Sequence, residues 1–156
     1  MHVEGARLTR DTETFGKMDV YCVFNTRMQR IRTKTDEKAG KEPNWHGEAF
    51  EVDVKYIGDD MQMQVFDEDP CKSDLIGEST IKLTSLCANG GMDEWFTIAY
   101  KGEESGKLHL RSEWHPTGEE MVVRPPEAMV QPPQQVVNCD GSPAVHNTEE
   151  PFVFHP

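Results

Sequence analysis

The chain has 156 residues, enough for one domain with its own core and too few to make two domains the expectation. Its formal net charge of −12 disfavours nucleic acid as a partner, and also disfavours attraction to an anionic membrane unless a cation bridges the two. Apolar residues make up 36% of the chain and none of their runs approaches the roughly 20 needed to cross a bilayer, so no transmembrane helix is expected.

The opening "MHVEGARLTRD" has no basic region followed by an apolar core and no small-residue cleavage site, which points to a cytoplasmic setting. The four cysteines, Cys22, Cys71, Cys87 and Cys139, lie far apart with no Cys-x-x-Cys pair and read as reduced thiols, Cys22 within a core strand. Along the chain, short runs of period 2 predict strands at about 19–25, 27–34, 50–54, 61–66, 77–84, 94–101 and 106–114. In "AFEVDVK", Phe50, Val52 and Val54 share a face opposite Glu51, Asp53 and Lys55; in "GKLHLRSEW", Leu108, Leu110 and Trp114 oppose His109, Arg111 and Glu113. Clusters such as "DEKAGKEPN" and "ANGGMD" separate these runs as turns. The fold class is therefore all-β, an antiparallel sandwich over residues 1–116 with functional loops at its ends and little helix. Trp45, Phe50, Trp95 and Trp114 are expected to supply packing area.

Composition changes near Pro116. Seven of the ten prolines fall at or after Pro125, and residues 117–156 show no sustained period, so they read as an extended proline-rich tail that either its own domain or a protein partner would order.

Acids concentrate in two places, "RDTETFGKMD" and "FDEDPCKSDLIGE". Two like charges about 4 Å apart repel by roughly 4 kcal/mol at an effective dielectric near 20, so converging carboxylates call for a cation. Hard oxygen donors in this number suit calcium better than zinc or a transition metal. An EF-hand loop starting at Asp67 would place Asp69 at position 3 and Glu78 at position 12, but position 6 is Lys72 where glycine is required and the flanks alternate like strands. A site shared by two loops at one end of a sandwich remains. No nucleophile with a base, phosphate loop or acid–base pair in a cleft is evident, so no enzyme is expected.

"TETFGKMDVYCVF", "EPNWHGEAFEV", "MQVFDEDPCKSDLIGE" and "GKLHLRSEW", in that order and spacing, resemble the C2 domain, a sandwich of the eight-stranded type that often binds calcium and phospholipid. The resemblance runs over roughly residues 1–116. It implies a Ca2+ site in which Asp19 closes the first loop within Gly-x-x-Asp-x-Tyr, Asp67 and Asp69 fill paired slots at the end of a strand, and Asp74 precedes Gly77 by three residues. Glu13 stands where an aspartate is usual, with Asp11 as an alternative, and Val20 replaces a common proline. The implied partner is an anionic phospholipid membrane, bound when calcium reverses the local potential, with Phe15, Pro70 and Cys71 at the contacting tips. Arg30, Arg32 and Lys34 resemble the basic strand face through which some members take phosphoinositide; a solvated face balanced by acids is the alternative. The first strand is short for the family, by truncation or an incorrect start, which would bare an edge beside the last strand for "EMVVR", "PFVFHP" or a partner to fill. The expected localisation is cytoplasmic and peripheral to membrane. A structural or adaptor subunit of a larger assembly, cytoskeletal or ciliary, is the alternative function.

Overall fold

The computed structural model describes residues 1–123. Ten strands are present among them: β1 His2–Leu8, β2 Val20–Asn25, β3 Arg30–Arg32, β4 Asn44–Ala49, β5 Tyr56–Ile57, β6 Asp60–Asp67, β7 Asp74–Lys82, β8 Gly91–Tyr100, β9 Glu103–Glu113 and β10 Val122–Val123. A short 3-10 segment, Leu83–Gly90, links β7 to β8.

Eight strands form one curled sheet in the order β3-β2-β6-β7-β8-β9-β1-β4. Neighbours pair antiparallel through three or more residue pairs, except that β7 meets β8 only at Glu78↔Ala99. This junction folds the sheet into two leaves, β3-β2-β6-β7 and β8-β9-β1-β4, with the core between them. At the junction the backbone must run close to the opposite leaf: a Cβ on Gly77 would collide with the Ser105 hydroxyl and crowd Ile98. Gly77, three residues beyond Asp74, is thus set by packing.

Period 2 selects the core. On β6, Met61, Met63 and Val65 point inward and are fully buried; on β9, Leu108 and Leu110 do the same. Phe24, Met18 and Ile76 complete the interior. Cys22 is also buried, and desolvation, aided by the negative Glu48, pushes its thiol well above the ordinary value.

Three expectations need correction. Phe50, Val52 and Val54 do pack against the core, but residues 50–55 join no ladder; the strand is the preceding Asn44–Ala49, paired with β1. Trp95 is 41% exposed rather than core, stacked on His109 with the Arg7 guanidinium over its ring. Cys71 is disulfide-bonded rather than a reduced thiol, whereas Cys22 and Cys87 are free. Cys139 and "PFVFHP" lie outside the described residues.

The short first strand closes the edge it was expected to leave open. β1 pairs with β9 from His2↔Arg111 to Leu8↔Gly106. "EMVVR" goes elsewhere, with Val122 and Val123 beside Tyr56 and Ile57 in a parallel pair.

A candidate cation site at one pole of the sandwich

The registers bring three connections to the same pole. Val20 pairs with Asp67, Asp67 with Asp74, and Val20 also bridges Asp36. The connections 9–19, 33–43 and 68–73 therefore all emerge there.

Asp67 shows how the strand delivers a carboxylate. It continues the inward parity of Met61, Met63 and Val65, and so lies 1% exposed at the end of the core. Both of its oxygens are engaged: the Asp19 backbone N–H donates to one at 2.8 Å and the Thr12 hydroxyl to the other at 2.6 Å. Those two bonds pin the first connection to β6. Asp19 in turn accepts the Lys38 backbone N–H at 2.6 Å, and its carbonyl accepts the Glu68 N–H at 2.7 Å. Glu68 closes the set by accepting from the Thr35 hydroxyl and, at 2.8 Å, from Arg32. The Thr35 hydrogen bond, then Arg32, holds the Glu68 carboxyl below its usual range.

Above this base lies Glu13. Desolvation raises its carboxyl pKa, and the negative charges of Asp67, Asp69, Asp19 and Asp11 raise it further. One side chain on the first connection thus feels carboxylates from both acidic stretches. Asp74 stands opposite Asp67 on the ladder, and Asp69 lies two residues beyond β6. Among the described residues, no three His, Cys, Asp or Glu side chains close into a metal-holding cluster. The groups that, after desolvation, raise the Glu13 carboxyl pKa are all carboxylates, hard oxygen donors of the type a divalent cation takes.

Phe15 stands at the tip of the first connection with 90% of its surface exposed, beside Gly16 at φ +103°. Pro70 and Cys71 are exposed on the other loop.

The basic strand has a different character. Arg30 and Arg32 flank buried Ile31 and point outward. Arg32 pairs with Glu68 and lies 3.9 Å over the Tyr21 ring, which stacks on Phe66; Arg30 donates to the Asn25 side-chain oxygen at 3.2 Å. Lys34 is exposed, its backbone N–H bonded to Glu48.

The C2 domain profile matches residues 1–98. The chain belongs to the C2 domain family. Within that family it is 36% identical over 100 residues to extended synaptotagmin-3 of Xenopus tropicalis and 38% identical over 100 residues to that of Mus musculus; each alignment covers 64% of this chain but 11% of the relative. This C2 domain thus spans about a tenth of the length of the curated relatives it matches. A calcium-bound structure of a tandem pair of C2 domains from extended synaptotagmin 2 superposes with a TM-score of 0.63 at 31% identity, over 72% of this chain and 43% of that one.

Sequence reasoning missed Thr12, Thr35 and the Lys38 backbone, which hold the three loops of this C2 domain together. No spacing signal marks them, because their partners lie 19 to 55 residues away.

Proposed function

We propose that this C2 domain docks on anionic phospholipid membrane in a calcium-dependent way. The observation that carries the reading is the meeting at one pole of the Glu13, Asp19, Asp67 and Asp69 charges with the bare ring of Phe15. Asp67 and Asp19, fixed by hydrogen bonds, form the base of the site; Asp69, Asp74 and Glu13 supply the remaining oxygens. Unbalanced, these carboxylates repel anionic headgroups and one another. Bound calcium supplies compensating positive charge and coordination positions for lipid phosphate or carboxylate. With the repulsion cancelled, Phe15 can enter the interface, and Pro70 and Cys71 add smaller contacts. Arg30, Arg32 and Lys34 serve as a secondary anionic contact once Arg32 leaves Glu68. The domain is a peripheral, cytoplasmic binding module with no catalytic role.

The test is calorimetric titration of calcium into residues 1–156, with sedimentation on phosphatidylserine vesicles with and without calcium. Asp69→Asn combined with Asp74→Asn is the informative variant, because Asp67 also holds the loop. Micromolar to sub-millimolar binding lost in that variant, with calcium-dependent sedimentation, supports the reading; no heat and no sedimentation sinks it.

A second reading, an adaptor within a larger assembly, is favoured by the opposite pole. There Ile57, Val122 and Val123 are 50%, 49% and 74% exposed along the β5–β10 pair, an apolar strip at the start of the tail. Vesicle binding unaffected by charged substitutions at Val122 and Val123, with loss of a co-purifying partner, would separate the two poles.

A further inference from the structure

The stretch "RIRTKT", residues 30–35, places arginine five and three residues before Thr35, a spacing that no other serine or threonine of the chain has. Arg30 and Arg32 belong to β3, which stands at one end of the sheet order and pairs on one side only, with β2. Alternation along β3 turns both guanidinium groups outward while Ile31 is buried. An extended segment on a sheet edge, with cations at alternate positions, has the form that an acidic cleft reads: backbone for pairing, charge pattern for specificity.

The Thr35 hydroxyl lies on the solvent side of this segment. The bonds that hold the chain to β2 here are made on either side of Thr35, by the Thr33 N–H to the Cys22 carbonyl at 3.0 Å and by Asp36, which exchanges two bonds with Val20. Thr35 turns its own hydroxyl to Glu68, with the Arg32 guanidinium 3.4 Å away, and those two side chains are 42% and 49% exposed. Thr33 also has an arginine three residues before it, but it is buried and its hydroxyl oxygen holds the Cys22 N–H. Of the two threonines, Thr35 is the one a second protein can reach.

A phosphate on Thr35 would bring three acceptor oxygens and about −1.5 to −2 charge to the base of the acidic pole. Arg32 is in place to grip it, since a guanidinium fork takes phosphate oxygens in pairs. Glu68 would lose both of its side-chain supports, the Thr35 proton and Arg32, while its backbone N–H still holds the Asp19 carbonyl. The new charge therefore sits beside the first connection and takes up a cation of the basic strand at the same time.

We propose that Thr35 is a phosphorylation site for a protein kinase whose substrate cleft is acidic, and that the phosphate releases the acidic pole from anionic membrane. In the transfer the Thr35 oxygen attacks the γ-phosphorus of ATP, the bond from that phosphorus to the departing ADP breaks, and the hydroxyl proton passes to a carboxylate of the kinase. The release rests on the docking reading; the modification does not.

In the experiment, folded protein of residues 1–156 is incubated with ATP and a purified kinase that requires arginine five and three residues before its acceptor, and the product is mapped by tandem mass spectrometry. Phosphate at Thr35 is expected. Arg30→Gln breaks one exposed hydrogen bond, to Asn25, and should slow incorporation roughly tenfold, the worth of one charge-assisted contact with the kinase. Thr35→Val should abolish incorporation at this position and Thr35→Ser restore it, while Lys55→Gln with Lys101→Gln, which removes charge elsewhere, should leave the rate unchanged. No phosphate at Thr35 in the folded chain, incorporation only after unfolding in urea, or an equal rate in Arg30→Gln overturns the site. The second arm compares phosphorylated and unphosphorylated protein on phosphatidylserine vesicles with calcium. A near-surface charge is worth about fivefold at an anionic membrane, so affinity should fall roughly 10- to 30-fold. Unchanged sedimentation overturns the release and leaves the modification standing. No sedimentation of the unmodified protein overturns the release together with the docking reading, while the mass spectrum still decides the site.

Discussion

The base and the rim of the acidic pole use the same chemical group in opposite ways. Asp67 and Asp19 are carboxylates whose oxygens accept hydrogen bonds from the protein, so their charge is compensated and they help build the fold. The ionised form of Glu13 is disfavoured by desolvation and then by the Asp67, Asp69, Asp19 and Asp11 charges, while Phe15, two residues on, is 90% exposed. The base is satisfied as folded and the rim is not. Side chains whose environment is incomplete within the chain mark where a ligand is expected; side chains already satisfied mark what holds that place open.

The largest expected effect tests the base. Asp67→Ala leaves the Thr12 hydroxyl and the Asp19 N–H without their acceptor, and should cost about 2 kcal/mol of stability, read as a lower urea midpoint at unchanged slope, along with calcium binding. If stability is unchanged, the base is not structural and the contrast with the rim fails. Phe15→Ala addresses the rim alone: a phenylalanine side chain is worth about 1.5–3 kcal/mol on burial, so vesicle affinity should fall roughly ten- to a hundredfold while calcium affinity and melting temperature hold. Asp69→Asn should lower calcium affinity about tenfold or more without destabilising the apo domain, since fewer ligand charges weaken such sites.

The smallest effect is also the most diagnostic. The folded state raises the Glu13 pKa, so it binds that proton more tightly than the unfolded chain does. Without calcium, acidification through the window just above the ordinary value of 4.5 should therefore raise the melting temperature through this residue; the gain is complete below 4.5 and is lost as the pH rises through the folded value. Glu13→Gln should flatten that rise and, at neutral pH, slightly stabilise the apo form. Glu68 runs in the other direction. Its lowered pKa contributes stability above 4.5 that is lost as pH falls through the folded value, and Glu68→Gln removes that loss. Melting curves from pH 7 to 3 on both variants separate the two contributions.

Much of the framework is legible from alternation alone. The β6 pattern gives both the strand and the inward parity that buries Asp67, and "GKLHLRSEW" gives the face of β9. Alternation fails where burial and pairing part company: Phe50, Val52 and Val54 pack on the core as expected, yet they lie outside the named strands, with Phe50 alone of the three bonded through its backbone to Met1, while "NWHGEA" forms β4 despite His46 and Gly47 at positive φ. Trp95 escapes the same reasoning because an aromatic on a strand says nothing about which face is wet; Arg7 and His109 cover it in place of the core. The Cys71 disulfide is hidden because sequence spacing carries no distance information.

The single-pair junction between β7 and β8 has a consequence for how the chain reaches this state. Each leaf is assembled from separate pieces of sequence, β1, β4, β8 and β9 on one side and β2, β3, β6 and β7 on the other, so the chain crosses between leaves four times. Neither leaf exists as a contiguous segment that could form first, and folding should be all-or-none with the slow, millisecond-to-second kinetics of long-range pairings. One of those four crossings, 9–19, also carries Glu13 and Asp19 of the acidic site. A cation gripping this crossing together with the 68–73 loop binds the folded state alone, so its binding should protect amides throughout the core, far from the loops it touches.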